Sequence, residues 1–315
     1  MTRTRTHTET STFGVSKRES HNAARYYAKH LEAPEDTDER LSRLPSELVD
    51  ELVCGTSEHM DGVPDNCVGL MVTSPNYHVG KESDLEMDWV DYLGLLERVF
   101  TETHRVLEPG GRAAINVANL GRRPYVHFAA IVTEMCRDIG FLPRGEVIWV
   151  KGKGASGSIA VGSYLKPSNP CLRDLHEYIL VFSKGRYGRV KSWQDRQAEG
   201  LPWRSTITKE DFFSSTLSIW DVRPESARRV GHPAPFPVEL PRRLIELYTW
   251  ADDVVLDPFM GSGSTAVAAV QTGRHYLGYD IDETYISNAR SRVADAAAGL
   301  EAPVLEPHDN LVDEG

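Results

Sequence analysis

The chain has 315 residues, enough for one large α/β domain carrying an inserted segment. Its 40% hydrophobic and 26% charged content is ordinary for a globular chain, and no run of about 18 apolar residues is present, which excludes a membrane-spanning helix. A net charge of −11 argues against a uniformly basic binder of polyanions.

Residues 1–50 read as an extension, a Thr-, Ser- and Arg-rich tail followed by an acidic, partly helical stretch around 38–52. The opening MTRTRTHTETST lacks the apolar stretch of a secretory signal, so a cytoplasmic location is expected. Short apolar runs predict buried strands at 51–54, 68–73, 113–117, 146–150, 178–182, 254–256 and 276–279. Between them, apolar residues spaced by three and four predict helices. The first spans 89–107, with Leu93, Leu96, Val99 and Phe100 on one face, and stops at Pro109-Gly110-Gly111. Others follow at 128–139, 237–248, 264–271 and 283–298. Strands alternating with helices predict an α/β fold, a parallel sheet covered on both faces.

Two stretches interrupt this rhythm. Residues 152–168 are rich in Gly, Ser, Lys and Pro, and residues 186–229 carry Trp193, Trp203 and Trp220 among basic residues. Together they predict an inserted basic, aromatic surface. From Lys151 to Arg229 there are 14 Lys or Arg against 8 Asp or Glu, whereas the tail from Asp295 has six acids and no Lys or Arg. A local field of that sign can hold a phosphate backbone on an otherwise acidic molecule. The candidate phosphate contacts are Lys151, Lys153, Lys166, Arg186, Arg189, Lys191 and Arg204. The cysteines Cys54, Cys67, Cys136 and Cys171 form no CxxC pair, which predicts neither zinc site nor disulfide.

Two turns carry chemistry. Asp257-Pro258-Phe259-Met260-Gly261-Ser262-Gly263-Ser264-Thr265 follows an apolar strand and opens a small-residue helix. Its glycines permit a tight turn and close approach of a ligand, and the helix start offers free N–H groups. About 17 residues further on, the next strand ends at Asp280, placed to bind ribose hydroxyls. Taken alone, this turn also suits a nicotinamide-dependent oxidoreductase, and Asp280 also suits a plain helix cap. The second turn is Thr73-Ser74-Pro75-Asn76-Tyr77, at the end of the strand 68–73. There the Ser74 hydroxyl and Pro75 carbonyl offer two acceptors for an amino group, and Tyr77 offers a face on which a base can stack. In isolation it also fits an ordinary strand-to-loop turn.

Taken together, the two turns resemble those of the amino DNA methyltransferases, whose catalytic motif is (Asp/Asn/Ser)-Pro-Pro-(Tyr/Phe) and whose cofactor motif is Asp-Pro-Phe-x-Gly-x-Gly-(Ser/Thr)-Thr. Here the catalytic turn comes first, as in the permuted β group. The resemblance covers residues 52–294 and departs from the family at Asn76, where Pro is usual, and at Thr56, where an acid is common. It implies a Rossmann-like methyltransferase fold with a mostly parallel sheet in permuted order. Its parts are an extension (1–50), a catalytic half (51–151), a target-recognition region (152–230) that includes a sheet strand (176–184), a cofactor half (231–298) and an acidic tail (299–315). It also implies transfer of a methyl group from S-adenosylmethionine to the exocyclic amine of a base flipped out of double-stranded DNA. Ser in the first motif position resembles the subset acting on cytosine N4, with adenine N6 the alternative. Ser74, Pro75, Asn76 and Tyr77 would hold the base. Thr56, Thr73, Asp257, Pro258, Phe259, Gly261, Gly263, Thr265, Asp280 and His232 would surround the cofactor. A nucleoid association, a cognate restriction endonuclease and a homodimer are further expectations. Cys171 follows Pro170 but lacks the surroundings of a cytosine-C5 nucleophile.

Overall fold

The computed structural model describes residues 36–75, 87–121, 124–152, 162–224 and 236–301. The chain divides into two units, Met1–Thr37 and Asp38–Gly315, and the second holds every element described below.

The strands are β1 (Glu51–Cys54), β2 (Val68–Thr73), β3 (Leu107–Val117), β4 (Phe141–Val150), β5 (His176–Lys184), β6 (Ile219–Asp221), β7 (Val254–Asp257) and β8 (His275–Asp280). They form one sheet in the order β1-β8-β7-β2-β3-β5-β4-β6. Only β5 opposes the common direction, pairing antiparallel with β3 and β4. The helices are α1 (Trp89–Val106), α2 (Phe128–Ile139), α3 (Trp193–Ala198), α4 (Lys209–Ser215), α5 (Glu239–Tyr248), α6 (Ser264–Gln271) and α7 (Glu283–Glu301).

Local chemistry accounts for the helix ends. Asp88 caps α1 by accepting from the Asp91 N–H at 2.8 Å, and α2 stops where Gly140 takes a left-handed φ of 112°. The strand β2 reads Val-Gly-Leu-Met-Val-Thr and is buried throughout. Val68 and Met71 join the core under α1 and α2, while Leu70 and Val72 join the core under α5, α6 and α7. Full burial of each such side chain contributes roughly 1.5–3 kcal/mol.

The topology places a crevice. From β7 the chain turns through α6 to β8 on one side, and from β2 it passes through α1 to β3 on the other. Neighbours β2 and β7 are thus the point at which the connections diverge, and ligands bind at the carboxyl ends of such strands.

At the other rim, where β3 and β7 begin, four charged side chains close on one another. Arg189 reaches Glu108 at 2.6 Å and Asp253 at 3.2 Å, and Arg196 reaches the same two carboxylates at 3.4 and 3.2 Å. The Arg196 side chain is only 1% exposed and that of Asp253 only 2%.

Several expectations need correction. The stretch 38–52 holds a 3-10 turn at Ser46–Leu48 and no α-helix. The Pro109-Gly110-Gly111 turn lies inside β3, where the register with β2 shifts. Gly110 has φ 78°, and a Cβ there would lie 1.9 Å from the Gly188 carbonyl oxygen, so only glycine fits. Residues 186–229 are only partly an appendage, because β6 extends the sheet beside β4 and its Trp220 is buried in the core.

Candidate active site

The catalytic and glycine-rich turns meet at the crevice between β2 and β7. Leu70 and Met71 pair with Val255 and Leu256, which brings the two strand tips level. There the Thr73 hydroxyl donates to Asp257 Oδ1 at 2.6 Å, joining two motifs 184 positions apart. The Thr265 hydroxyl, from the first turn of α6, donates to Asp257 Oδ2 at 2.6 Å, and the Phe259 N–H donates to Oδ1 at 3.1 Å. Burial pushes the Asp257 carboxyl up to about 6, against the pull of the bonds from Thr265, Thr73 and Phe259. Its hydrogen-bond partners are neutral donors, so any charge it carries is not cancelled locally.

The glycine-rich turn is built for close approach. Gly261 and Gly263 both have positive φ, and a Cβ on Gly263 would press to 2.7 Å from that of Ala289 in α7. Arg292 of α7 clamps the turn by donating to the Ser262 carbonyl at 2.6 Å. Among the described residues no side chain caps α6, and a helix start of this kind can offer N–H groups to a ligand. Asp280, at the tip of β8, accepts from the Gly261 N–H and the Asp282 N–H, both at 2.9 Å. Pro258 is buried, and its carbonyl accepts from the Ser57 hydroxyl at 2.8 Å. Ser57 therefore ties the loop after β1 to the glycine turn, whereas Thr56 is exposed and bonded to Glu58. The half-buried Phe259 packs on the core under α1.

At the end of β2, Ser74 is half-buried and Pro75 buried. Asn116, near the end of β3, donates through Nδ2 to Ser74 Oγ at 3.3 Å and to Glu177 Oε2 at 2.6 Å. Lys151, just past β4, donates to the other oxygen of Glu177. Asn116 and Glu177 are buried, and composition or spacing gave no sign of either. The one available signal was the polar start of a strand whose remainder is apolar, His176–Lys184. Asn76, Tyr77, Lys153 and His232 lie outside the described residues.

The expected phosphate contacts separate into two groups. Lys166 is exposed on the loop between β4 and β5, on the side of Ser74. Lys151 lies on that side too, engaged with Glu177 and 5.0 Å from the centroid of the Trp149 ring. Arg186, Arg189, Lys191 and Arg204 are at the opposite rim, away from the crevice. Arg189 is locked into the buried quartet, Arg186 faces Glu39 at 3.5 Å, Lys191 pairs with Glu199, and Arg204 approaches Asp252 at 3.6 Å. At about 3.3 Å per residue, the six residues of β2 hold the rims roughly 20 Å apart.

Among the described residues no helix is long and apolar enough to cross a membrane, and no cluster of His, Cys, Asp and Glu is arranged to hold a metal ion.

This geometry can be set beside known proteins. A family model for N6/N4 DNA methylases matches residues 68–291. The Type II methyltransferase M.MjaI of Methanocaldococcus jannaschii is 30% identical over 275 residues, covering 74% of this chain and 88% of its own. The DNA adenine methyltransferase YhdJ of Escherichia coli is 25% identical over 261 residues, covering 77% and 81%. A DNA modification methylase of Thermus thermophilus, solved as a complex with S-adenosyl-L-methionine, superposes with a TM-score of 0.62 at 31% identity, covering 79% of this chain and 96% of that one.

Proposed function

Because this chain belongs to the N6/N4 family of DNA methylases, we propose that the crevice between β2 and β7 receives a base swung out of duplex DNA and methylates its exocyclic amine, with cytosine N4 the first choice. The methyl donor is S-adenosyl-L-methionine, which supplies an electrophilic methyl group on a sulfonium and so requires no enzyme nucleophile.

The residues at the crevice suit that donor. The uncapped start of α6 and the close-approach turn at Gly261 and Gly263 can cradle the amino-acid part, and Asp280 can accept from the ribose hydroxyls. Asp257 acts from beneath. Its bonds to Thr73 and Thr265 hold the base side and the cofactor side in fixed register. Such fixed placement is a main source of rate when the electrophile is already activated.

Ser74 and the Pro75 carbonyl would accept the amino hydrogens, drawing electron density toward the nitrogen. Asn76 and Tyr77 complete the proposed pocket, with Tyr77 as the stacking face. Lys166 is proposed to meet phosphate on this rim.

The observation that carries this reading is the Thr73–Asp257 hydrogen bond, which draws the two motifs to one crevice. Ser74 in the first motif position favours cytosine. Adenine N6 is the second reading, favoured by the likeness to an adenine enzyme at 25% identity. Methylation of mixed-sequence duplex DNA, digestion to nucleosides and mass analysis decide between them. N4-methylcytosine is expected, N6-methyladenine moves the assignment to the second reading, and an unmodified amine overturns both.

A further inference from the structure

The loop between β4 and β5 carries large apolar side chains that the core does not bury. Its two ends are pinned at the crevice rim. The Lys151 N–H donates to the Leu175 carbonyl at 3.0 Å, and the Tyr125 hydroxyl bonds to Asp174 at 3.2 Å. Glu177, two residues past Leu175, lies 2.6 Å from Asn116, which lies 3.3 Å from Ser74. Strand β5 is two strands from β2, roughly 10 Å at about 4.8 Å per strand. A duplex that gives up a base to the crevice therefore passes within reach of this loop.

The described part of the loop is a stapled turn. Gly162 and Pro170 form an antiparallel bridge. The Ser163 hydroxyl donates to the Lys166 carbonyl at 2.7 Å and accepts from the Asn169 N–H at 2.8 Å. At the tip, Leu165 has φ 55°, a left-handed conformation that favours glycine or asparagine. The residue there is nevertheless leucine, and it is 86% exposed beside Tyr164 at 73%. Neither the turn nor the core accounts for that side chain. The fully exposed Leu172 borders the same open hollow of about 470 Å³ as Tyr164 and Leu165, so the three form one patch. Lys166 and Arg173 flank the patch, and both are exposed. An apolar tip between two cations matches a base stack between its phosphates.

We propose that Leu165 is a wedge that enters the base stack where the target base leaves it, with Lys166 and Arg173 meeting the adjoining phosphates. The inference rests on the reading of the crevice as the receptacle of a flipped base. Extrusion of a base leaves a gap lined by the apolar faces of its neighbours. An apolar side chain fills that gap and opposes return of the base. A turn already fixed before binding delivers it with little further loss of conformational freedom.

Leu165→Gly removes the side chain without disturbing the turn, because glycine suits φ 55° better than leucine. Methyl transfer by wild type and L165G is compared on two duplexes carrying the methylated site. One is paired normally, and the other has a pyrene nucleotide opposite the target base. The pyrene ring fills the stack and expels the target, so it stands in for the missing side chain. On the paired duplex, kcat/KM of L165G is expected to fall roughly ten- to hundredfold, with Kd for S-adenosylhomocysteine within about twofold of wild type. On the pyrene duplex the two proteins are expected to agree within about threefold. An unimpaired L165G, or an equal loss on both duplexes, overturns the proposal. A duplex with 2-aminopurine at the target position isolates the underlying reading, since its fluorescence rises when it leaves the stack. No rise on binding wild type sinks the base swing itself, whereas a rise together with an unimpaired L165G sinks only the role of Leu165.

Discussion

The two rims of the sheet both bury polar side chains, and they do so to opposite effect. At the rim where β3 and β7 begin, two guanidinium groups face two carboxylates, and the charges cancel within the cluster. At the other rim the Asp257 carboxyl accepts from neutral donors, and α6 lacks a side-chain cap among the described residues. A closed cluster is architecture. A cluster that leaves donors and acceptors unspent on one side is a site, since buried polar groups demand partners and here a ligand must supply them.

The contrast is sharpest in stability. Arg189→Met leaves Glu108 and Asp253 short of a partner, and the loss is expected to be about 3–5 kcal/mol in urea unfolding. The salt dependence of DNA binding should not change in that variant. A stable R189M with a flattened salt dependence would reverse the assignment of the rims.

Asp257→Ala should show the opposite profile. Methyl transfer is expected to fall about a hundredfold or more, because the two turns lose their common anchor. Stability should suffer less than in R189M, since a costly buried carboxyl goes with the bonds. Near-normal kcat in D257A would break the comparison from the other side.

A smaller effect lies in the pH dependence of stability. With its carboxyl pushed up to about 6, Asp257 binds a proton more tightly folded than unfolded, so its contribution declines as pH rises from about 4 to about 6. Asp257→Asn removes that decline. The unfolding free energy of D257N relative to wild type should therefore rise by on the order of 2 kcal/mol between pH 4 and pH 7. A difference independent of pH would mean that the carboxyl is not held in this state.

The smallest effects concern surface charge. Lys166→Glu is expected to make the log–log dependence of DNA affinity on salt shallower by about one. Arg204→Glu at the opposite rim should leave it unchanged, and its exposed pair with Asp252 contributes no more than about 1 kcal/mol. Equal effects of the two reversals would place DNA across both rims.

The strands that carry the site were legible because each is a short apolar run buried on both faces, as in β2 and β7. The start of β4 was not, because residues Pro143–Glu146 are exposed and carry no apolar signal. The turns at Ser74 and Gly261 were found through their residue order. Asn116 and Glu177 were missed because their relation exists only through the pairing of β3 with β5 and leaves no local spacing. Arg189 was misread for a related reason. Its partners Glu108 and Asp253 are 81 and 64 positions away, so a count of charge along the chain cannot tell a buried guanidinium from an exposed one.

The adjacency of β2 and β7 also bears on how the molecule comes to exist. Residues 68–73 leave the ribosome long before 254–257, and Glu51–Cys54 likewise waits for His275–Asp280. Pairings this distant in the chain form slowly, because loop closure precedes any gain from contact. A nascent polypeptide that stops short of residue 280 has exposed strand edges and no crevice, so methylation waits until residue 280 has been made.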